Sequence, residues 1–480
     1  MIRSTLLLTL SFIGLIFYFP NTAKAINNPG DVPNNRYGIH ITDANDLEKA
    51  VDLVNSSGGD WGYVTFVIRE DDRNLKKWQD TFDKMRELHL IPIVRLATKT
   101  SGENWEKFDS YNTDGWVYFL NSLNWVIQNR YIIIGNEPNH ATEWGGEINP
   151  YEYSNFYKEF ARKLKNSSND FFIMPAGFDA SAPNTNNHMG EEEYIKKMLE
   201  VNPDFYDYVD GLASHSYPNP NFSGSEFDVG PGTIATYVWE LEFLRLLGVT
   251  KKLPVFITET GWAKTVGDDK RLTETEIANK LSYAFEKVWS DEKIVAITPF
   301  ILDYKEPLFE VFSWKKEDGG NTVFYERTKN LVKTRGQPSQ ITSGQIVYVI
   351  IPKVIFGDKT QELILLVKNS GQSVWEANNV NLAIFSSKNK TENLAYNINF
   401  DRPIKPTQQG YIKTNFIPVF EENEFNGVAE VFVDNNSIGT PSYFHIYKIE
   451  DIKSFYEYII YLKDSLAGWF VRNAKLSTLW

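Results

Sequence analysis

The 480-residue chain contains no cysteine, only six histidines and no excess of positive charge. The absence of cysteine excludes a disulfide framework, thiolate catalysis and Cys-ligated zinc. None of the histidines has the His-Glu-x-x-His spacing of a zinc peptidase. The formal net charge is −13, whereas a protein that follows nucleic-acid phosphates needs clustered positive charge. We therefore expect no nucleic-acid partner, no metal and no organic cofactor.

The remaining composition is typical of a folded protein. Hydrophobic residues make up 42% of the chain and charged residues 23%, which excludes wholesale disorder. At about 100–200 residues per domain, the length allows two to four domains, or one large barrel with a smaller partner. The 13 Trp, 25 Tyr and 32 Phe leave aromatic rings available for stacking against flat ligands.

The N-terminal segment has the pattern of a secretory signal peptide. A single early cation, Arg3, precedes an apolar run from Leu6 to Phe19, and Ala23-Lys24-Ala25 supplies a small-x-small cleavage site. We therefore predict a signal peptide over residues 1–25 and a secreted or cell-surface location of bacterial type. An uncleaved membrane anchor is the alternative, although the apolar run is shorter than the ~20 residues that a span needs.

The C-terminal segment, residues 451–480, is predicted to be an amphipathic helix. Its apolar residues recur at helical spacing, and Lys463 and Asp464 interrupt the run, so it is not a transmembrane span. Such a helix could pack on the preceding domain. Alternatively, it could lie on a membrane or cell surface as a peripheral contact.

Residues 26–335 alternate short apolar runs with amphipathic, helix-length stretches. Buried strands that alternate with helices are typical of a parallel sheet covered by helices. Eight such units predict an α/β fold, a closed (β/α)₈ TIM barrel. A doubly wound open sheet is the alternative, but no Gly-x-Gly-x-x-Gly follows the first run. The predicted strands are Tyr37–Ile41, Tyr63–Ile68, Ile91–Leu96, Tyr131–Ile134, Phe171–Pro175, Val209–Ser214, Pro254–Thr258 and Val295–Leu302. The predicted helices are Asp46–Val54, Leu75–Leu88, Trp116–Ile127, Tyr151–Leu164, Thr233–Leu247 and Glu274–Trp289.

Residues 340–450 have a different pattern, in which strands follow one another with turns and without helices. This spacing predicts a smaller all-β domain, a β-sandwich of immunoglobulin-like type. The segment Thr334–Gly344 between the two domains is rich in Gly, Pro, Ser and Gln and is predicted to be a linker. The predicted strands are Gln345–Lys353, Glu362–Asn369, Val380–Phe385, Ala395–Phe400, Gly410–Phe416, Val428–Val433 and Tyr443–Ile449.

Polar side chains that can take part in catalysis occur where predicted strands end. In a barrel, the catalytic groups project from the carboxyl ends of the strands. Glu137 follows the fourth strand and Glu259 follows the seventh, where a solvated surface charge is not expected. His215 and Tyr217 follow the sixth strand and, two residues apart in extended chain, share one face.

Two opposed carboxyl groups are what glycosidic bond cleavage needs. One gives a proton to the leaving oxygen, and the other attacks the anomeric carbon. In the two-step route these groups lie about 5–5.5 Å apart. Strands four and seven are three apart around an eight-strand ring, so Glu137 and Glu259 can face each other across its mouth.

These motifs resemble those of a known superfamily. Residues 37–315 are similar to retaining glycoside hydrolases of the (β/α)₈ superfamily called clan A, which includes family 5, 39 and 53 glycosidases. Asn136-Glu137-Pro138 matches the acid/base motif, Thr258-Glu259-Thr260-Gly261-Trp262 the nucleophile motif and His215-x-Tyr217 the strand-six motif. The resemblance implies that Glu137 is the acid/base and Glu259 the nucleophile. It also implies that Asn136 binds the 2-hydroxyl of the sugar and that Tyr217 hydrogen-bonds the nucleophile.

The resemblance leaves two further residues to be assigned. The superfamily places a sugar-stacking Trp after strand eight, for which Trp314 is the candidate, and Trp262 could share that role. It also places an Arg from strand two beside the nucleophile. The second predicted strand has none, so either Arg69, just beyond it, or Arg95, on the third strand, is the candidate.

The leading hypothesis is a secreted retaining glycosidase that cleaves β-glycosidic bonds of a polysaccharide or oligosaccharide. A catalytically inactive carbohydrate-binding or cell-surface scaffold protein is the alternative, and loss of either carboxylate would have favoured it. A third hypothesis is an adhesion protein in which the β-domain and the terminal helix carry the function. In the first two cases the expected partner is a carbohydrate.

Overall fold

The structure is a computed structural model that describes residues 27–267, 271–307, 309–388, 394–395 and 398–463. The predicted signal peptide and the last part of the predicted C-terminal helix, residues 464–480, lie outside the described residues.

Eight strand–helix units follow one another in the first domain. Each of the eight predicted strands overlaps an observed strand; the bounds of Phe171–Pro175 agree, and those of the other seven differ by one to five residues. The strands are β1 (Gly38–His40), β2 (Gly62–Arg69), β3 (Leu90–Ala97), β4 (Arg130–Ile134), β5 (Phe171–Pro175), β6 (Leu212–His215), β7 (Val255–Glu259) and β8 (Ile294–Ile297). The helices are α1 (Leu47–Val54), α2 (Leu75–Glu87), α3 (Thr113–Ser122), α4 (Pro150–Ser167), α5 (Glu191–Val201), α6 (Thr236–Leu246), α7 (Glu274–Tyr283) and α8 (Val323–Lys329).

The strands form two parallel sheets in which each strand lies beside its successor in the chain. One sheet has the order β1-β2-β3-β4-β5 and the other β8-β7-β6. Isolated parallel bridges occur at both seams between the sheets, Tyr37 with Ile297 and Asp179 with His215. The carboxyl ends of all eight strands therefore point toward the same end of the domain.

Large aromatic side chains fill the space between the two sheets. Tyr131 of β4 packs its ring 5.0 Å from Phe256 of β7 and 5.1 Å from Phe172 of β5, measured between ring centroids. Tyr63 of β2 lies 6.5 Å from Phe256 in the same way. Because these rings come from strands of both sheets and are buried, they join the sheets into one core.

The helices begin where the local sequence favours a helix start. Asn149 caps α4 by accepting from the backbone N–H of Glu152, and Pro150 occupies the first turn. One predicted helix needed correction, and two observed helices were missed. The helix predicted over Trp116–Ile127 ends at Ser122, because Trp125 and the residues beside it turn into the core. Helices α5 and α8 were not predicted, since α5 follows a polar loop and α8 is short.

The second domain consists of two β-sheets around a common apolar core. The first sheet contains Gly344–Ile350, Gln361–Asn369, Gln409–Phe416 and the short strand Asn399–Phe400. The second contains Val354–Phe356, Val380–Ser386, Leu394–Ala395, Glu424–Val433, Asn436–Ser437 and Ser442–Ile449. Leu365 and Val367 from the first sheet share one buried cluster with Leu382 and Val431 from the second. The alternation of buried and exposed residues along the longer strands explains why they were predictable from the sequence. The strand predicted over Ala395–Phe400 is wrong, because Leu394–Ala395 and Asn399–Phe400 are short strands in different sheets.

Polar side chains of the predicted linker and the second domain bond to the first domain. The side-chain amide of Gln340 donates to the carbonyl of Val126 (2.8 Å), and that of Gln372 donates to the carbonyl of Ile127 (2.8 Å). These bonds satisfy buried carbonyl groups that follow α3.

A helical segment at residues 452–463 follows the last strand of the second domain. Its Tyr458 packs against Tyr447 of that strand, with ring centroids 5.2 Å apart. On another face, Ile452, Tyr456 and Ile460 are exposed by 77%, 65% and 58%. The segment therefore packs on the preceding domain along one side and leaves an apolar stripe uncovered. Within the described part of the chain, no helix is both long and apolar enough to cross a membrane.

Candidate active site

The two predicted glutamates lie at the carboxyl ends of strands from different sheets. Glu259 is the last residue of β7, and Glu137 follows β4 in a sharply turned loop. In that loop Gly135 and Glu137 both have positive φ angles, 86° and 28°. The backbone N–H of Glu137 donates to the carbonyl of Gly177 beyond β5 (3.1 Å), which holds the turn in place. A non-glycine residue in this backbone region is strained and is typical of functional sites.

His215 lies between the two carboxyl groups. Its Nδ1 is 2.7 Å from Glu137 Oε1 and 3.9 Å from Glu259 Oε2. The three residues offer ligand-type atoms that all lie within 4.8 Å of one another. Burial alone would lower the pKa of His215, but the negative charges of Glu259 and Glu137 outweigh it and raise that pKa. An oxygen of each glutamate is thus close enough for both carboxyl groups to act on one bond.

Glu259 is 8% exposed and is surrounded by donors and positive charge. Arg95 Nη1 lies 2.6 Å from its Oε1, and the hydroxyl of Tyr217 donates to its Oε2 (3.1 Å). Burial by itself would raise the pKa of Glu259, but His215 and Arg95 stabilise the carboxylate and the net shift is downward. Burial raises the pKa of Tyr217 well above its usual value, so its hydroxyl keeps its proton and donates. Glu259 is therefore ionised at neutral pH.

The structure distinguishes between the two candidate arginines. Arg95 on β3 pairs in register with Val67 of β2 and Ile133 of β4, and its side chain reaches Glu259. It also donates to the Oδ1 of Asn136. Arg69 lies at the end of β2 and pairs with the neighbouring Asp71 instead. The residue beside Glu259 is therefore Arg95.

His40 is a site residue that the sequence analysis missed. It ends β1, is 1% exposed, and places its Nδ1 3.9 Å from Glu259 Oε1. Burial and the charge of Arg95 lower its pKa to about 3, so the imidazole is neutral. Its position at a strand end, the criterion that found the other residues, would have identified it.

The two tryptophans proposed for sugar stacking are both buried in this structure. Trp314 is 2% exposed and packs edge-on against Phe324 of α8, with ring centroids 5.2 Å apart. Trp262 is also 2% exposed, and its Nε1 donates to the carbonyl of Gly224 (2.9 Å). Because both side chains are 2% exposed, neither ring offers a free surface for stacking.

A different aromatic residue after β8 lies beside the site. Phe300 is half-buried, and its ring centroid lies 5.2 Å from that of His40. The peptide bond between Phe300 and Ile301 is cis. Phe300 lies inside the eighth predicted strand, Val295–Leu302, but the observed strand β8 ends at Ile297, so Phe300 belongs to the loop beyond the strand end.

Further polar residues follow β4 and β5. Glu143 ends the short 3₁₀ helix Ala141–Glu143, close to Glu137. His140 lies 2.7 Å from His188 between their Nδ1 atoms and 3.1 Å from Asp179 through its Nε2. The contact between two Nδ1 atoms requires one imidazole to donate and the other to accept. Of these residues, Glu143 lines a small pocket together with Arg95 and Asn136.

Glu137, His215 and Glu259 have a spacing that a metal ion could bridge. However, Glu259 Oε1 already accepts from the guanidinium of Arg95, whose positive charge would repel a cation. The arrangement therefore fits two carboxyl groups that act on a substrate better than a metal centre.

No protein-family model and no curated protein matches this chain. Solved structures to which it is similar include glycoside hydrolases. A GH128 (subgroup II) endo-β-1,3-glucanase from Sorangium cellulosum is 12% identical, with 61% of this chain and 97% of that chain covered and a TM-score of 0.41. The corresponding enzyme from Pseudomonas viridiflava is 13% identical, with 62% and 97% covered and a TM-score of 0.40. A β-glucosidase from Exiguobacterium marinum is 12% identical, with 60% and 85% covered and a TM-score of 0.36.

Proposed function

We propose that the protein is a retaining glycoside hydrolase of clan A type that cleaves β-glycosidic bonds of a polysaccharide or oligosaccharide. In this proposal the eight parallel strands act as a closed (β/α)₈ barrel with the site at its mouth. The observation that carries it is the separation of Glu137 and Glu259, which have oxygens within 4.8 Å of each other. Retaining enzymes hold the carboxyl groups about 5–5.5 Å apart, whereas inverting enzymes need roughly 6.5–9.5 Å to admit a water.

The electrostatic environment supports different roles for the two glutamates. Glu259 is the proposed nucleophile, because Arg95 and Tyr217 stabilise its charged form. Glu137 is the proposed acid/base, and its carboxyl group is oriented by His215. A group that must attack a carbon needs a free carboxylate, whereas the proton donor must exchange its proton with the leaving oxygen.

The reaction then proceeds in two steps. Glu137 gives its proton to the glycosidic oxygen as that oxygen leaves the anomeric carbon, and Glu259 forms a covalent bond to the same carbon. Glu137, now a carboxylate, takes a proton from a water molecule that attacks this carbon and releases Glu259. Asn136, by the resemblance, would bind the 2-hydroxyl of the sugar, and Arg95 holds its side chain in place.

The experiment compares Glu137→Ala and Glu259→Ala on a dinitrophenyl β-glycoside, chosen after a screen of aryl β-glycosides and polysaccharides. Dinitrophenolate leaves without protonation, so Glu137→Ala should form the covalent intermediate and then stall. Azide needs no base and should restore turnover with a β-glycosyl azide as product. In Glu259→Ala, azide can attack only from the opposite face and should give an α-product. Glu103→Ala, at an exposed position in a nearby hairpin turn, is the control and should behave as wild type.

Two outcomes would count against this proposal. If Glu137→Ala keeps near-normal activity on an unactivated glycan, the acid/base assignment is wrong. If wild type binds glycans but hydrolyses none, the alternative of an inactive carbohydrate-binding or scaffold protein is favoured. On a natural glycan, each substitution should lower kcat/KM by several powers of ten, since both groups act in the transition state.

A secreted or cell-surface location belongs to the same proposal and depends on the N-terminal sequence pattern alone. It is tested by mass spectrometry of the exported protein, whose first residue should be Ile26. Contact of the C-terminal helix with a membrane or cell surface also stays a prediction. The exposed stripe of Ile452, Tyr456 and Ile460 is the feature to substitute with Ser in a binding assay.

A further inference from the structure

Glu143 brings a third carboxyl group to the cleft. It ends the short segment Ala141–Glu143 that follows the loop carrying Glu137. The backbone N–H of His140 donates to the carbonyl of Glu137 (2.9 Å), which folds this segment back toward the strand ends. Trp144, 2% exposed, anchors its far end in the core. The same loop therefore holds both Glu137 and Glu143.

A small pocket lies between this segment and the hairpin made by Thr100–Ser101 and Asn104–Trp105. Its walls include Arg95, Trp105, Asn136 and Glu143. Trp105 is only half-buried, so it combines an aromatic wall with the hydrogen-bonding groups opposite. An apolar ring face beside a few convergent polar groups suits the two faces of a sugar unit. The enclosed volume is only about 20 Å³, which is room for one hydroxyl group, so the sugar ring itself would lie outside the pocket against Trp105.

Asn136 is hydrogen-bonded from two sides. Its Oδ1 accepts from Arg95, so its amide nitrogen is the donor to the carboxyl group of Glu143. A side-chain amide has two N–H groups, and a carboxyl group has several lone-pair positions. Asn136 and Glu143 therefore each keep hydrogen-bonding capacity for a ligand in the pocket.

Glu143 also changes its charge near neutral pH. Burial, followed by the negative charge of Glu137, raises its pKa to about 7. Glu259 adds to this rise, whereas Arg95 and the hydrogen bond from Asn136 oppose it. These groups face Glu143 from β3, β7 and its own loop, and His140 on that loop is a further titratable neighbour, whose pKa the charge of Glu143 helps to raise.

We propose that Glu143 is a specificity-determining residue that binds a hydroxyl group of the sugar unit seated against Trp105. It selects a neutral sugar over one that carries a carboxylate or sulfate at that unit. This inference rests on the proposed function, since it places a glycan in the cleft. A negatively charged substituent on that sugar unit would face the carboxyl groups of Glu137, Glu143 and Glu259. Arg95, the nearby cation, is already engaged with Glu259 and Asn136.

The test measures binding rather than turnover. Thio-linked oligosaccharides of glucose, mannose, galactose and xylose, with a thio-linked glucuronide as the charged counterpart of the glucoside, are titrated calorimetrically at pH 6, 7 and 8. The proteins are wild type, Glu143→Gln, Glu143→Ala and Trp105→Ala, with the exposed Glu103→Gln as the matched control. Thio-glycosides resist hydrolysis, so binding is measured whether or not the protein is an active enzyme.

The expected results have defined signs. As pH rises, ionised Glu143 accepts a charge-assisted hydrogen bond, and the Kd of wild type for the best neutral ligand should fall about fivefold from pH 6 to 8. In Glu143→Gln the Kd should lose most of this pH dependence, and what is left belongs to His215 and His140, whose pKa values are raised. In Glu143→Ala the Kd at pH 8 should be about tenfold higher than in wild type. The glucuronide should bind more weakly than the glucoside in wild type, and this difference should narrow in Glu143→Gln. A purely structural role would lower the melting temperature of Glu143→Gln without changing the pH dependence.

The proposal is overturned if Glu143→Gln keeps the pH dependence of wild type, if the glucuronide binds better than the glucoside, or if no oligosaccharide binds to wild type. The hydrolysis screen decides separately on the proposed function. If wild type hydrolyses glycans and Glu143→Gln binds them with the affinity and pH dependence of wild type, the role of Glu143 is refuted and the glycosidase assignment stands.

Discussion

A pair of buried acids next to the site, Glu191 on α5 and Glu240 on α6, should make the stability of this protein fall as pH rises. They are 3% and 1% exposed, and each carboxyl group lies within hydrogen-bonding range of the other. Burial raises the pKa of Glu240 from 4.5 to about 7, and burial together with the charge of Glu240 raises the pKa of Glu191 well above its usual value. Two carboxyl groups can bond to each other only if at least one carries a proton.

The sign and size of the effect follow from proton linkage. Between pH 4.5 and 7 the folded protein keeps a proton on Glu240 that the unfolded chain has lost. The folded state is therefore favoured at low pH, and this contribution is lost as pH rises through that window. At about 1.4 kcal/mol per pKa unit, the loss is about 3 kcal/mol of unfolding free energy. The raised pKa of Glu191 gives a contribution of the same sign.

Glu240→Gln should remove most of this dependence, because an amide fits the same space and cannot ionise. Urea unfolding at pH 5, 6, 7 and 8 measures the effect. The free energy of unfolding of the variant, relative to wild type, should rise by about 3 kcal/mol between pH 5 and 8. Glu242→Gln is the matched control, since Glu242 lies on the same helix, is exposed, and has its pKa lowered by Arg245. The control should follow the pH dependence of wild type. If Glu240→Gln does so as well, the reasoning about the buried pair is refuted.

Three further outcomes are expected. Tyr217→Phe removes the hydroxyl that donates to Glu259 (3.1 Å), so kcat/KM should fall about 10- to 100-fold. Because this hydrogen bond lowers the pKa of Glu259, the acid limb of the pH profile should move to higher pH, and an unmoved limb would contradict the contact. Gly177→Ala would place a Cβ 2.3 Å from Cδ2 of His215, so the imidazole ring must shift. The value of kcat/KM should then fall about 100-fold with little change in the circular dichroism spectrum. Wild-type kinetics would show that the position of the ring is unimportant. EDTA should leave hydrolysis unchanged, since Arg95 already neutralises one oxygen of Glu259, and loss of activity restored by a divalent ion would point to a metal centre instead.

Several features were predictable because they depend on local pattern. Runs such as Ile132, Ile133 and Ile134 are buried on both faces, so the sequence shows a continuous apolar strand. Glu137 and Glu259 stood out because a charged residue directly after such a run is unusual. In the second domain, alternation of apolar and polar residues along Gln361–Asn369 matches the two faces of one strand. The catalytic roles of Glu137 and Glu259 remain predictions that the experiments above test.

Other features were decided by contacts between residues far apart in the chain. Arg95 rather than Arg69 reaches Glu259 because the register of β2 and β3 sets how far along the strands each arginine lies. Trp314 is buried because α8 brings Phe324 against it, which no local pattern reveals. Glu143 lies in a polar loop that looks ordinary in the sequence, and only its burial beside Glu137 gives it unusual chemistry.

The sequence by itself determined where the chain forms most of its strands and helices and which carboxyl groups lie at strand ends, because these depend on the alternation of apolar and polar side chains over a few residues. The tertiary structure decided which rings are covered, which arginine faces the carboxylate and which acids keep a proton. Those properties depend on burial and on distances of a few ångströms between residues from different strands, and burial and distance exist only once the sheets have packed together.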